Sequence, residues 1–159
     1  MKLYLQVLAN TLIGDSDARE REQITERFRA VVGPIVTLFD ALSYTALAKL
    51  INDEERSVRA LLDNLHSLLD IPTRPDHPIQ LLHPSFRDFV LDPSRCANSF
   101  WIDERKTHEH LANMCLSFMS HHLKRDICGL KAPDASCSTV PCDRVEQCLP
   151  AELQYACRY

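Results

Sequence analysis

The stretch Leu81-Leu82-His83-Pro84-Ser85-Phe86-Arg87-Asp88-Phe89-Val90 predicts a passage from strand to helix. Residues 79–82 form a short apolar run that is typical of an edge strand. His83 lies at the turn, and its spacing alone favours a structural role, either as the cap of the following helix or as a side chain that fills the strand-to-helix corner. Pro84 suits the first position of a helix, because the N–H that proline lacks has no partner there. The apolar residues that follow have helical spacing and are expected to pack this helix on a core: Phe86, Phe89 and Val90.

A long helix is predicted near the beginning of the chain. Asp17 and Glu20 have the spacing of a capping box, which indicates a helix start. The apolar face of this helix is expected to continue as far as Phe39. Pro34 is expected to kink or break the helix, because proline cannot donate a backbone hydrogen bond.

Two further helices and a hairpin are predicted between this helix and His83. Ser43 is expected to cap the helix 44–51, and Asn52 with Glu55 is expected to form a capping box for the next one. That next helix has the clearest amphipathic pattern in the chain, given by Val58, Leu61, Leu62, Leu65, Leu68 and Leu69. Helix, short helix, capped helix and a two-stranded wing are together typical of a winged helix-turn-helix.

The last third of the chain predicts a second helical segment. Asp103 is expected to cap a long helix that runs to about Cys128, and Leu153 lies on the apolar side of a final helix. The predicted fold is therefore mostly α. Its parts are a truncated end of a preceding helical subdomain, a winged helix-turn-helix with a small two-stranded wing, and a helical segment truncated at the C-terminus: 1–14, 15–92 and 93–159. With both ends cut, apolar faces around Leu5 and Leu153 are expected to be exposed.

Composition narrows the classes of function. The 159 residues carry a net charge of −4, whereas a free-standing nucleic-acid-binding domain is usually basic. Only three glycines occur, which excludes a glycine-rich phosphate loop. No apolar run approaches the length of a membrane helix, and the N-terminus lacks a convincing export signal. The seven cysteines are an odd number, so free thiols in a cytoplasmic protein are favoured over a disulfide framework.

The sequence contains no catalytic or metal-binding signature. Neither a G-x-S-x-G nucleophile motif nor a Walker A motif occurs, so the chain is predicted not to be an enzyme. Cysteine spacings match no common zinc pattern. His108, Cys115 and His122 share a helical stripe, but seven-residue steps separate them by about 10 Å, too far for one ion. Buried thiols and surface histidines are the favoured interpretation.

A winged helix also raises the hypothesis of DNA binding through the helix predicted over residues 54–68. Recognition helices normally offer Lys or Arg to phosphates and bases. Here the acidic Glu54, Glu55 and Asp63 outnumber the basic Arg56 and Arg59. This balance favours protein packing over DNA contact.

Several stretches resemble the region that follows the nucleotide-binding core in fungal NACHT-type STAND ATPases, which are NOD-like receptors. The resemblance covers essentially the whole chain. The matching stretches are Phe28-Arg29-Ala30-Val31-Val32-Gly33-Pro34-Ile35-Val36, Leu61-Leu62-Asp63-Asn64-Leu65-His66-Ser67, Leu82-His83-Pro84-Ser85-Phe86-Arg87-Asp88-Phe89, Leu123-Lys124-Arg125-Asp126-Ile127-Cys128-Gly129-Leu130 and Val145-Glu146-Gln147-Cys148-Leu149-Pro150.

The resemblance implies a regulatory role and gives His83 a function. In that family, a winged helix folds back on the ATPase core, and the histidine at the wing-to-helix turn contacts the ADP phosphate. His83 occupies the matching position, although Leu82 and Pro84 depart from the Met-His-Asp version of the motif. The implied partner is a NACHT core in cis or in trans, and ADP or ATP is expected only together with that core. The alternatives are a DNA-binding winged-helix regulator and a standalone helical adaptor for another protein.

Overall fold

The computed structural model describes residues 2–95, 99–131 and 140–159. Within these residues the chain is mostly helical, with one small antiparallel sheet. The helices are α1 (Lys2–Leu8), α2 (Ala18–Thr37), α3 (Tyr44–Leu50), α4 (Glu55–Leu62), α5 (Pro84–Leu91), α6 (Glu104–His122), α7 (Cys142–Cys148) and α8 (Ala151–Arg158). The strands are β1 (Leu69–Asp70) and β2 (Gln80–Leu81), and a π-helical turn (Ala9–Ile13) follows α1.

The two strands form the small sheet that the sequence predicted. Leu69 pairs with Leu81, and Asp70 pairs with Gln80. The segment before α3 joins the same region, because Ser43 forms an antiparallel bridge with Pro78. These pairings bring the segment before α3 next to the hairpin that follows α4. Strand β2 then leads through His83 directly into α5.

Helix α2 begins as predicted and ends differently. Asp17 and Glu20 form the expected capping box, with the Glu20 N–H donating to Asp17 Oδ1 at 2.8 Å. The expected break at Pro34 is wrong, since α2 continues to Thr37. Burial of this segment outweighs one missing backbone bond: the flanking Val32 and Val36 are both buried. Phe39 lies beyond the helix end and is 70% exposed, so its predicted inward position is also wrong.

The amphipathic pattern after α3 predicted burial correctly but predicted too long a helix. All six of its apolar residues are buried, yet α4 ends at Leu62 and a 3₁₀ turn, Asp63–Leu65, follows. The Asn52–Glu55 capping box is wrong, because Asn52 has a left-handed backbone with φ of 53°. Glu54 occupies the N-cap position instead, without a side-chain cap bond.

Helix α6 starts at the predicted cap and stops before Cys128. The Lys106 N–H donates to Asp103 Oδ1 at 3.1 Å, which confirms the N-cap. The helix ends at His122, and the rings of its last two residues, His121 and His122, fold back on carbonyls of the preceding turn. His121 Nδ1 lies 2.7 Å from the Ser117 carbonyl oxygen, and His122 Nδ1 lies 2.8 Å from that of Phe118.

Residues from both halves of the chain share one apolar core. Helix α6 packs on α2 and α8, and α8 also packs on α3. Leu153 on α8 is only 1% exposed, so the expectation of an exposed face around it is wrong. Leu5 on α1 is 38% exposed, but Leu8 on the same predicted face is fully buried, so the expected exposure is found at Leu5 and not along the whole face. None of the described helices is both long and apolar enough to cross a membrane.

Candidate functional site

His83 lies at the N-terminus of α5, where its ring is held by a chain of hydrogen bonds. The Ser85 backbone N–H donates to His83 Nδ1 at 3.1 Å, so His83 is the N-cap of the helix. Ser85 Oγ lies 2.7 Å from the same nitrogen. The Tyr4 hydroxyl, which comes from α1, lies 2.7 Å from Ser85 Oγ. A residue at the beginning of the chain thus helps to position a side chain in the middle.

These contacts determine which ring nitrogen of His83 carries a proton. A backbone N–H can only donate, so Nδ1 must accept and is unprotonated. The Ser85 hydroxyl then donates to Nδ1, and the Tyr4 hydroxyl donates to Ser85 Oγ. Neutral His83 consequently carries its proton on Nε2, which has no partner among the described residues. His83 is exposed, so Nε2 offers a hydrogen-bond donor to a partner.

Aromatic packing fixes the backbone on which His83 is mounted. Phe86 and Phe89 are each 1% exposed and anchor α5 in the core, as the sequence predicted. The Tyr4 ring packs on both, at centroid distances of 5.6 Å to Phe86 and 5.3 Å to Phe89. The nearby Arg87 is occupied elsewhere, with its Nε donating to the Val36 carbonyl at 2.7 Å. Arg87 is also exposed, but its Nη2 donates to Glu104 Oε1 at 3.1 Å, whereas His83 Nε2 has no partner among the described residues.

The surface of α4 offers little free positive charge. Arg59 Nε lies 3.7 Å from Asp63 Oδ1, and Arg59 also donates to the Tyr44 hydroxyl at 2.9 Å. Glu55 and Arg56 on this helix are exposed, and so is Asp63 at its C-cap. Because the exposed acidic groups offset the arginines, the surface lacks the excess of cations that binds a phosphate backbone.

His108, Cys115 and His122, which share a stripe along α6, each lie in different surroundings. His108 lies beside Phe39, at 5.8 Å between ring centroids, whereas His122 stacks on Phe118 at 4.0 Å. Cys115 between them is buried. Across residues 2–95, 99–131 and 140–159, no group of three or more potential ligands could hold a metal ion.

A groove between α6 and α8 escaped the sequence analysis. Its volume is 410 Å³, and Leu111, Cys115 and Tyr155 line it. Three large side chains along it are exposed to solvent: Phe39 at 70%, Leu116 at 62% and Tyr159 at 53%. Leu116 was the available signal, because it is a large apolar residue outside the inward face of the α6 pattern.

The burial of Cys115 in this groove leads us to expect a slowly reacting thiol. Desolvation raises the pKa of the Cys115 thiol, and the thiolate is the form that reacts with alkylating agents. We expect Cys115 to react with iodoacetamide at neutral pH about ten-fold more slowly, or slower still, than the exposed Cys157. Timed alkylation followed by peptide mass spectrometry measures both rates. Urea should abolish the difference, whereas equal rates in the folded protein would contradict the burial of Cys115.

Comparison with known proteins adds no family to these observations. No protein-family model, curated protein or solved structure matches this chain.

Proposed function

We propose that this chain is a non-catalytic regulatory module of a NACHT-type STAND signalling ATPase, like those of fungi. In this proposal it acts in the cytoplasm, packs on the nucleotide-binding core and holds the ADP state. The observation that carries the proposal is the geometry of His83: an exposed histidine at a helix N-terminus, with Nδ1 committed to Ser85 and the Nε2 proton available. A helix N-terminus also favours a nearby anion. ADP or ATP would bind only together with the core, whether in cis or in trans.

The order of elements supports a winged helix-turn-helix for residues 15–92. Helices α2, α3 and α4 are followed by the β1–β2 hairpin, and the segment before α3 bridges to that hairpin. This order is the one expected of a helix-turn-helix with a wing. In the proposed assignment, residues 1–14 belong to a preceding subdomain and residues 93–159 form the following helical segment.

The charge distribution weighs against the alternative of a DNA-binding regulator. Helix α4 would be the recognition helix, yet Glu55 on it is exposed, and the exposed Asp63 at its C-cap pairs with Arg59. Duplex binding that is tight and falls steeply with salt would favour the DNA alternative. The groove between α6 and α8 is the observation that favours the second alternative, a standalone helical adaptor.

Binding to a separately expressed NACHT core, with and without ADP, tests the role of His83. We expect ADP to strengthen binding of the wild type. His83→Asn should keep a cap acceptor for α5 but lose the imidazole donor, so it should weaken ADP-dependent binding by about 10- to 100-fold. His83→Ala should lose both the cap and the donor. Titration calorimetry measures the affinities, and thermal unfolding shows whether each variant is folded.

His77→Ala is the matched control, because His77 is another exposed histidine near the sheet. Its affinity should equal that of the wild type. If ADP strengthens binding equally for wild type and His83→Asn, His83 is not the phosphate contact. If no core binds under any condition, the regulatory proposal is wrong.

A further inference from the structure

The segment that follows α6 is built against α7 through a defined turn. Asp126 accepts the backbone N–H groups of Leu130 and Lys131 at 2.7 and 3.0 Å, which fixes the turn around Cys128. Arg144 on α7 reaches across, and its Nε donates to the Cys128 carbonyl at 2.8 Å. The backbone carrying Cys128 is thus held on the surface of α7.

The same face of α7 carries a second thiol. Cys148 follows Arg144 by four residues, so the two side chains lie on one face of the helix, one turn apart. Because Arg144 holds the Cys128 backbone against this face, the Cys148 thiol lies near the Cys128 thiol, near enough to influence its pKa. Both side chains are half-buried, and both cysteines are free. Two neighbouring thiols, one on a hydrogen-bonded turn and one at the end of a helix, are placed where a disulfide can form between them.

We propose that Cys128 and Cys148 form a reversible oxidation site, which a peroxide converts into an intramolecular disulfide. One sulfur attacks the peroxide oxygen, the O–O bond breaks, and a sulfenic acid and water form. The second thiol then attacks that sulfur, the S–S bond forms, and a second water leaves. In total the two thiols lose two electrons and two protons, and hydrogen peroxide takes them up as two water molecules.

The surroundings of Cys128 lower the fraction of its reactive thiolate at neutral pH. Burial raises the pKa of Cys128, and the neighbouring Cys148 thiol raises it further. Asp126 acts in the same direction, whereas Arg144 opposes it. Since the thiolate attacks the oxidant, oxidation should accelerate as pH rises towards and beyond the ordinary thiol pKa.

The disulfide would join the end of α7 to the turn around Cys128 that follows α6. Helix α8 follows α7 after two residues, Leu149 and Pro150, and it lines the groove with Tyr155 and Ala156. Oxidation would therefore limit the movement of the segment that leads into one wall of that groove. This inference does not depend on the proposed function of His83.

Peptide mapping of the full chain after treatment with hydrogen peroxide tests the proposal. Trypsin alone leaves Cys148 and Cys157 in one peptide, so a glutamate-specific protease is added to cut after Glu152. Under non-reducing conditions we expect a linked pair of peptides containing Cys128 and Cys148, lighter by two hydrogen atoms and separated by dithiothreitol. The linked pair should form faster at higher pH.

Three variants and one unfolded sample keep the test decisive. Cys128→Ser and Cys148→Ser should each abolish the link, whereas Cys157→Ser, which alters an exposed thiol, should leave it unchanged. The same chain oxidised in urea should give mixed pairings, which shows that the folded state selects the partners. A dominant link to any other cysteine in the folded chain would overturn the proposal. Oxidation of Cys157 with no link between Cys128 and Cys148 would overturn it as well.

Discussion

Phe86→Ala is expected to lower the free energy of unfolding by about 3–5 kcal/mol, the range for deleting a fully buried aromatic side chain. Phe86 is 1% exposed and belongs to the core that joins α5 to the rest of the chain. Its ring also makes an edge contact with Tyr4, at 5.6 Å between centroids. The substitution removes apolar contacts and leaves a cavity beneath the helix that carries His83. Urea denaturation followed by circular dichroism measures the loss.

Phe39→Ala is the matched control, because it makes the same chemical change at a side chain that is 70% exposed. The Phe39 ring packs on the Tyr159 ring, at 5.1 Å between centroids, but most of it faces solvent. Its removal should therefore lower the free energy of unfolding by less than about 1 kcal/mol. Equal losses for the two variants would mean that α5 is not anchored by Phe86. In that case the fixed geometry of His83 would lose its structural basis.

The start of α5 could be predicted from the sequence because its signals are local. The turn at His83, the proline at the first helical position and the apolar spacing of α5 all lie within a few residues of each other. The capping box at Asp17 and the cap at Asp103 are equally local. Each depends on backbone hydrogen bonds that neighbouring side chains satisfy, and a single sequence contains that information.

Tertiary packing determines the backbone conformations and helix ends that local sequence patterns did not predict. Periodicity shows which side chains are buried but not which backbone conformation buries them: Leu65 is buried in a 3₁₀ turn and Leu69 in a strand, although both fit a helical pattern. The continuation of α2 through Pro34 similarly depends on packing against other elements. Propensity and spacing therefore identified the core more accurately than they identified the ends of helices.

The sequence predicted His83 as a site residue but did not predict the residues that hold its side chain in place. His83 was identified from its place before Pro84 and from the resemblance, but Tyr4 contacts Ser85 across 81 positions of sequence. The groove joins Phe39 to residues of α6 and α8 in the same long-range way. No periodic pattern connects such distant residues, so the surroundings of each site became visible only in the folded chain.

Lys49→Met is expected to destabilise the fold by about 1–3 kcal/mol, because it leaves a buried carboxylate without its counter-ion. Lys49 Nζ on α3 lies 3.0 Å from Glu152 Oε1 on α8. The lysine side chain is 60% exposed, whereas that of the glutamate is only 4% exposed. Loss of the partner therefore costs more free energy for Glu152 than for Lys49. An unpaired Lys49 remains hydrated, whereas an unpaired Glu152 remains buried in the protein interior.

This asymmetry makes a double-mutant comparison informative. Glu152→Gln should cost less than about 1 kcal/mol, since it removes the buried charge and keeps the side-chain shape. Adding Glu152→Gln to Lys49→Met should then recover most of the stability, although a second residue has been changed. Thermal unfolding of the four proteins at one pH measures the coupling. If the double variant is as unstable as Lys49→Met alone, loss of lysine packing would explain the effect, and the ion pair would not be what holds α8 against α3.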